Sequence, residues 1–274
     1  MRKISLGTGL KYAVTILLAC VMLLPFVWMV ALSLKTLGSF YEYPPRLLTK
    51  NPQWSNFMTV LDQFSLFRYF WNSLFVALAI AGLQVVFASM AAFAFAVMRF
   101  RGSNLLFMSF LASMMFPVTV ILLPLFLVVR ELGLIDSYGG LILPFVFTGY
   151  GIFMIRQFFL SLPRDYFEAA RMDGCSYFGV YARIYLPLSK TALVTLGTIA
   201  FMYFYNLLLW PLVTINSEHL KTIPIGIAGL VGQNSSYPHL IMAGTTITVI
   251  PGLIIFVILQ RYFVRGIVMS GIKG

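Results

Sequence analysis

Six stretches of this chain, roughly 12–34, 70–98, 103–129, 138–160, 191–215 and 240–260, are apolar for twenty residues or more, and apart from Arg156 near the end of the fourth they carry no charge. A bilayer core about 30 Å thick is crossed by a helix of about 20 such residues. In hydrocarbon every backbone N–H and C=O must find its partner inside the protein. A helix does this within one segment, and these runs lack the alternation of a barrel strand. The expected fold class is therefore all-α, a polytopic membrane protein with six transmembrane helices, forming one domain over residues 1–274. Composition agrees: 10% of residues are charged, against roughly 25% in soluble domains.

Basic residues orient the spans. With the N-terminus inside, thirteen of the 19 Lys and Arg lie on the inner side, among them Arg2, Lys3, Arg99, Arg101, Arg164, Arg171 and Lys273. Lys35, Arg46, Lys50, Arg68, Arg130 and Lys221 lie outside. Both termini are then cytoplasmic, as an even number of spans requires. Thr222–Val231 is apolar but too short to cross and holds Pro224, Gly226 and Gly229; it reads as a re-entrant or interfacial segment on the outer side. A seventh span there would carry Arg261, Arg265 and Lys273 to the outside. The net charge of +11 sits at the ends of apolar runs, so the membrane surface and not nucleic acid accounts for it.

Several function classes are disfavoured. The spans contain no acidic residue, whereas ion-coupled secondary transporters hold ionisable groups in the membrane; that class is the alternative reading. No Gly-x-x-x-x-Gly-Lys-Ser/Thr loop is present, so the chain should not bind ATP itself. His219 and His239 are the only histidines and have no paired acid motif, which leaves no enzyme site and no metal site. Cys20, inside the first run, and Cys175, in a loop, have no expected disulfide. Leu17-Leu18-Ala19-Cys20 has the look of a lipoprotein cleavage site, but the run continues to Leu34, so an uncleaved first span is expected. Five spans hold proline, at Pro25, Pro117 and Pro124, Pro144, Pro211 and Pro251. Two readings stay open: the tolerance of membrane helices for proline, and bends that line a cavity. The long outer segment 36–69 is a small cap or a partner surface.

The loop 161–187 differs from the others. Pro163 suits a helical first turn with Ser161 or Leu162 at the cap, and Asp165 suits the dipole. Gly174 suits a left-handed helix end, Ser176 a second cap, and Pro187 the opening of the fifth span. A helix–turn–helix of about twenty residues follows, more than a plain connection needs.

Glu168-Ala169-Ala170, three residues, Gly174, nine residues, Ile184, one residue, then Leu186-Pro187 resembles the EAA loop of binding-protein-dependent ABC importer permeases at all seven fixed positions. Pro25-Phe26-Val27-Trp28, Ser33-Leu34-Lys35-Thr36, Trp54 with Asn56-Phe57, Asn72-Ser73 and Gln260-Arg261-Tyr262-Phe263-Val264 are similar to landmarks of carbohydrate-type permeases, so the likeness covers nearly the whole chain. The resemblance implies an ABC type I importer-like permease in a bacterial inner membrane, carrying a carbohydrate or polyol. It further implies that Glu168, Ala169, Ala170, Gly174, Ile184, Leu186 and Pro187 dock an ATPase dimer, that a second permease chain completes the pathway, and that an extracytoplasmic binding protein delivers substrate. No cofactor is expected on this chain, since ATP and Mg belong to the partner ATPase. On the fifth span, Tyr203, Asn206 and Trp210 are spaced to share a helix face, whose amide and aromatic surfaces suit a hydroxylated ligand; helix packing is the other reading.

Overall fold

The structure is a computed structural model that describes residues 6–63, 65–98, 100–233 and 236–271, and it is helical without strands throughout those residues. Arg2, Lys3, Arg99, Lys273 and Gly274, which carry part of the charge pattern and of the C-terminal likeness, lie outside them.

The first apolar stretch becomes α1 (Leu6–Ser33), which passes through Pro25 without a break. Thr36 caps the short α2 (Leu37–Phe40) by accepting from Ser39 N, while Ser39 Oγ accepts from Thr36 N. Helix α3 (Ser55–Gln63) precedes α4 (Leu66–Val97), the second expected span. Among the described residues, α1 and α4 are long and apolar enough to cross a bilayer singly.

The third stretch is not one helix. α5 (Ser103–Ser113) and α6 (Val118–Glu131) meet at 103°. Pro117 supplies the reason: it has no N–H to continue the helix and disfavours helical backbone at Phe116. The fourth stretch bends by 44° between α7 (Tyr138–Ile142), continued as a 3-10 turn through Pro144 to Phe145, and α8 (Gly149–Ser161). Then come α9 (Asp165–Met172), α10 (Tyr177–Val180), a π-helical turn over Tyr181–Tyr185, α11 (Leu186–Leu188) and α12 (Lys190–Tyr205). The fifth stretch is also interrupted, because α13 (Leu209–Thr214) starts only after a gap at residues 206–208. Thr222–Val231 falls in α14 (Ile223–Gln233), eleven residues long, and the sixth stretch lies inside α15 (Pro238–Gly271).

The chain forms two compact units, one of residues 1–67 with 226–251 and one of residues 68–225 with 252–274. In the first, Asn56 is a backbone clamp. Its Nδ2 donates to the carbonyls of Ser33 at 2.8 Å and Lys35 at 2.9 Å, which satisfies carbonyls left over where α1 ends. Val60 and Leu230 pack around Gly244 in the same unit.

The second unit repeats that device. Asn72 Nδ2 donates to the carbonyls of His219 and Lys221 at 2.9 and 2.8 Å, Tyr138 donates to Asn72 Oδ1, and Ile223 N donates to Ser73 Oγ. Gln84 Nε2 donates to Phe145 O at 2.6 Å, filling the acceptor exposed by the break in the fourth stretch. Two apolar clusters hold this unit. One gathers Phe93, Phe107, Ile155, Phe159, Tyr185 and Leu196, and the other Ile80, Val129, Leu141, Trp210 and Ile215. Where lipid is the solvent such contacts stabilise through close packing more than through water release. Arg156, the one charge inside a stretch, needs no acid: its Nε donates to Phe95 O at 3.2 Å and its guanidinium lies 4.2 Å over the Phe107 ring.

Candidate functional site

The loop 161–187 forms from local rules. Leu162 ends α8 with extended backbone, as the residue before a proline prefers. The expected start of α9 shifts: Ser161 belongs to α8, donating Oγ to Phe158 O, and Leu162 is its C-cap. Neither caps α9, which begins at Asp165, two residues past Pro163, with Arg164 at an N-cap that offers no side-chain bond. The dipole carries the start instead, with Asp165 and Glu168 in the first turn and Arg171 in the last.

The end of α9 follows expectation. Gly174 adopts φ 79°, Cys175 N donates to Ala170 O at 3.0 Å and Gly174 N to Arg171 O at 3.1 Å. This paired pattern is the Schellman motif, which satisfies terminal carbonyls and needs a left-handed residue. Arg171 reinforces the turn: its Nη1 donates to Cys175 O at 2.6 Å and its guanidinium sits 4.5 Å over Tyr177. Ser176 caps α10 by accepting from Gly179 N at 3.1 Å. Pro187, expected to open the fifth span, sits inside α11; the span helix α12 begins at Lys190, after a 77° bend. Ser189 forms the corner, fully buried, with Oγ donating to Tyr185 O at 2.6 Å.

The seven fixed positions divide between two faces. Glu168, Ala169, Gly174 and Pro187 are exposed. Ala170 is buried and Ile184 and Leu186 are half-buried, all against the cluster around Phe93. The inner residues thus anchor the loop on the helices beneath, and the outer ones present a small, acid-bearing surface. Glu168 pairs with Arg164 at 3.5 Å, exposed on both sides. Such a pair contributes at most about 1 kcal/mol, so the carboxylate is easily recruited by another partner. Burial raises the Tyr185 phenol above its usual value, with the Arg164 charge opposing, so Tyr185 stays neutral and packs edge-on against Phe93 and Phe159.

Sequence reasoning missed the anchors Ser89 and Tyr181, whose hydroxyls lie 2.8 Å apart. A signal existed, since an isolated serine in an apolar membrane helix seeks a partner on a neighbour.

The shared face of Tyr203, Asn206 and Trp210 does not form. α12 stops at Tyr205, and Asn206 caps it by donating Nδ2 to Met202 O at 2.7 Å. Tyr203 is 50% exposed and Asn206 is exposed, whereas Trp210 is 1% exposed and donates Nε1 to Gly140 O at 3.0 Å. Helix periodicity relates these residues only if the helix continues, and it breaks between them. A Cβ on Gly140 would lie 2.2 Å from Leu134 O, so only glycine lets the start of α7 lie this close to the backbone at Leu134. Packing accounts for Trp210.

On the loop between α6 and α7, Asp136 accepts from the backbone N–H of Asn216 and Ser217 and from the Ser217 hydroxyl. The Ser217 hydroxyl, then its N–H, hold the carboxyl below its ordinary range.

Comparison with known proteins places this architecture. The family described as binding-protein-dependent transport system inner membrane component matches residues 84–269. The arabinooligosaccharides transport system permease protein AraQ of Bacillus subtilis (strain 168) is 39% identical over 208 residues, covering 76% of this chain and 74% of that protein. The sn-glycerol-3-phosphate transport system permease protein UgpE of Brucella melitensis biotype 1 is 39% identical over 206 residues, covering 74% and 73%. The crystal structure of a bacterial ABC transporter involved in the import of the acidic polysaccharide alginate contains a chain with the same fold, at TM-score 0.81 and 24% identity, covering 96% of this chain and 99% of that one.

Proposed function

The chain belongs to the family of binding-protein-dependent transport system inner membrane components, and from that premise we propose that it forms half the translocation pathway of an ATP-driven importer for a carbohydrate or related polyol. The relatives named for arabinooligosaccharides and glycerol phosphate support the substrate class. The observation that carries the coupling role is the two-faced loop: Glu168, Ala169 and Gly174 displayed, Ala170 and Leu186 anchored.

In this reading the broken third, fourth and fifth stretches each count as one crossing and α15 as the sixth. Both termini and the loop 161–187 lie in the cytoplasm of a bacterial cell, and the chain sits in its cytoplasmic membrane. A second permease, a different chain, completes the pathway, and an extracytoplasmic binding protein delivers substrate. An ATPase dimer that binds ATP and Mg grips α9. The small Ala169 lets it approach closely, and Glu168 exchanges Arg164 for polar groups of the ATPase. The chain itself supplies no ATPase chemistry. Closure of the ATPase dimer displaces α9, and the packed contacts of Tyr181, Tyr185 and Ser189 pass that displacement to α4 and α12. Binding energy that differs between two arrangements then shifts their populations.

The test is co-purification of the ATPase subunit with Glu168→Ala, together with uptake into vesicles. Reduced association and lost uptake, with the fold intact, are expected. Undiminished association and uptake in this variant would remove the docking role. Uptake that survives ATP depletion and collapses with an ionophore would point to ion coupling instead.

A further inference from the structure

Between the end of α4 and the start of α5 opens a cavity of about 620 Å³, and Arg164, beside the docking helix, forms part of its wall. Among the described residues, two guanidinium groups line it, Arg101 and Arg164, and no carboxylate does. Arg101 is exposed and makes no ion pair among the described residues. Among the described residues Arg164 pairs with Glu168, exposed on both sides, an interaction weak enough to be exchanged for another anion. Two like charges around one cavity repel each other, and an anion between them turns that repulsion into attraction. The rest of the wall is mixed: Ser103 and Asn104 add polar groups at the start of α5, beside the apolar side chains of Phe95, Val97 and Leu105.

This pairing of chemistries narrows the ligand. A free phosphate would use the guanidinium groups and the polar side chains of Ser103 and Asn104, and leave Phe95, Val97 and Leu105 unmatched. A phospholipid uses both, since its phosphodiester meets the arginines while its acyl chain follows the helices into the membrane. Basic pockets between membrane helices on the cytoplasmic side are suited to anionic headgroups. We propose that this cavity binds the headgroup of an anionic phospholipid of the cytoplasmic leaflet, held by Arg101 and Arg164. The leaflet rests on the topology given above; the headgroup chemistry does not.

The experiment uses the purified full chain in detergent, with bound lipid counted by native mass spectrometry after addition of phosphatidylglycerol or phosphatidylcholine. The wild type is expected to retain phosphatidylglycerol in preference to phosphatidylcholine. Arg101→Glu should weaken that retention by about fivefold or more, and Arg101→Lys should keep most of it. Arg101→Gln serves as the loss-of-charge variant if the charge reversal does not fold. Equal retention of the two lipids would mean lipid held without regard to headgroup charge, and overturns the proposal. So does phosphatidylglycerol retention that is unchanged in the folded Arg101 variants. Displacement of the lipid by inorganic phosphate at millimolar concentration would mark a free-anion site, which also overturns it. The leaflet is checked separately. Ser103→Cys, in a chain carrying Cys20→Ser and Cys175→Ser, is labelled with a membrane-impermeant maleimide in vesicles of each orientation. Labelling from the cytoplasmic side supports the proposal. Labelling from the opposite side overturns the leaflet and the topology together, and retention in detergent then still reports on the arginines.

Discussion

The hydroxyls of Tyr181 and Ser89 lie 2.8 Å apart in a buried contact that ties the loop 161–187 to α4. Ser89 donates its single hydroxyl proton to Val86 O at 2.9 Å, so Tyr181 is the donor between them. The neighbouring rings of Phe93 and Tyr181, 5.5 Å between centroids, make the same connection through packing.

Tyr181→Phe removes that donor while keeping the ring. Ser89 keeps its bond to Val86, so no polar group is orphaned, and the expected loss is about 0.5–1.5 kcal/mol. Thermal unfolding of the solubilised chain measures it. A double-mutant cycle with Ser89→Ala should give a coupling of similar size, and strictly additive effects would mean that the contact contributes nothing.

Gly174→Ala should destabilise the loop by about 1–2 kcal/mol through backbone conformation alone, because φ is 79° and nothing lies within 4 Å of the added methyl. Gly174→Asn should cost less, since asparagine tolerates the left-handed region. Proteolytic susceptibility of the loop, measured for both variants, separates the two, and equal effects would contradict a backbone origin.

Trp210→Phe leaves Gly140 O without its donor and opens space in the second cluster, so a loss of about 1–3 kcal/mol is expected. Tyr203→Ala changes an exposed side chain and should leave the melting temperature nearly unchanged, while Asn206→Ala should lower it slightly through loss of the exposed bond to Met202 O. Any further effect they have should appear in uptake. Reduced uptake in both, with the fold intact, would place the end of α12 on the substrate path, and wild-type kinetics would exclude it.

Asp136 makes part of the stability pH-dependent. Its folded pKa lies below the ordinary 3.8, chiefly through the Ser217 hydroxyl and N–H. A depressed carboxyl stabilises above the unfolded pKa, and that contribution is lost as pH falls through the folded value. Asp136→Asn keeps a side chain that tolerates φ 58°. The wild type should exceed this variant in stability at neutral pH, with the gap closing below pH 3.8. A gap that persists in acid would mean that geometry and not charge holds Ser217.

The fold class was legible because lipid leaves so few options for long apolar runs. Where each helix breaks was less so. Pro117 breaks its stretch by 103°, whereas Pro25 and Pro251 stay inside continuous helices. What differs is the neighbourhood, since a carbonyl freed by a proline needs a substitute donor and only the packed structure says whether one is near. The loop 161–187 was legible at Gly174 and Ser176, where local chemistry acts within a few residues. It was misread at Pro163 and Pro187, where helix starts depend on tertiary packing. Trp210 was misplaced for a related reason: spacing of three and four implies one face only while the helix lasts, and it ends at Tyr205. Asn56 and Asn72 stood out as pieces of a likeness, and their work as clamps on distant carbonyls needed coordinates.

The bend at Ser189 has a mechanical meaning. At 1.5 Å per residue, the arm Tyr177–Leu188 is about 18 Å long and α12 about 24 Å. Joined at 77° and pinned by the buried Ser189–Tyr185 bond, they have the shape of a bell crank whose longer arm is α12. If the corner turns as one rigid piece, a stroke on the short arm emerges at the far end of α12 turned through almost a right angle and enlarged by about a third. In the proposed coupling, an ATPase stroke on the loop reaches α12 through the corner at Ser189.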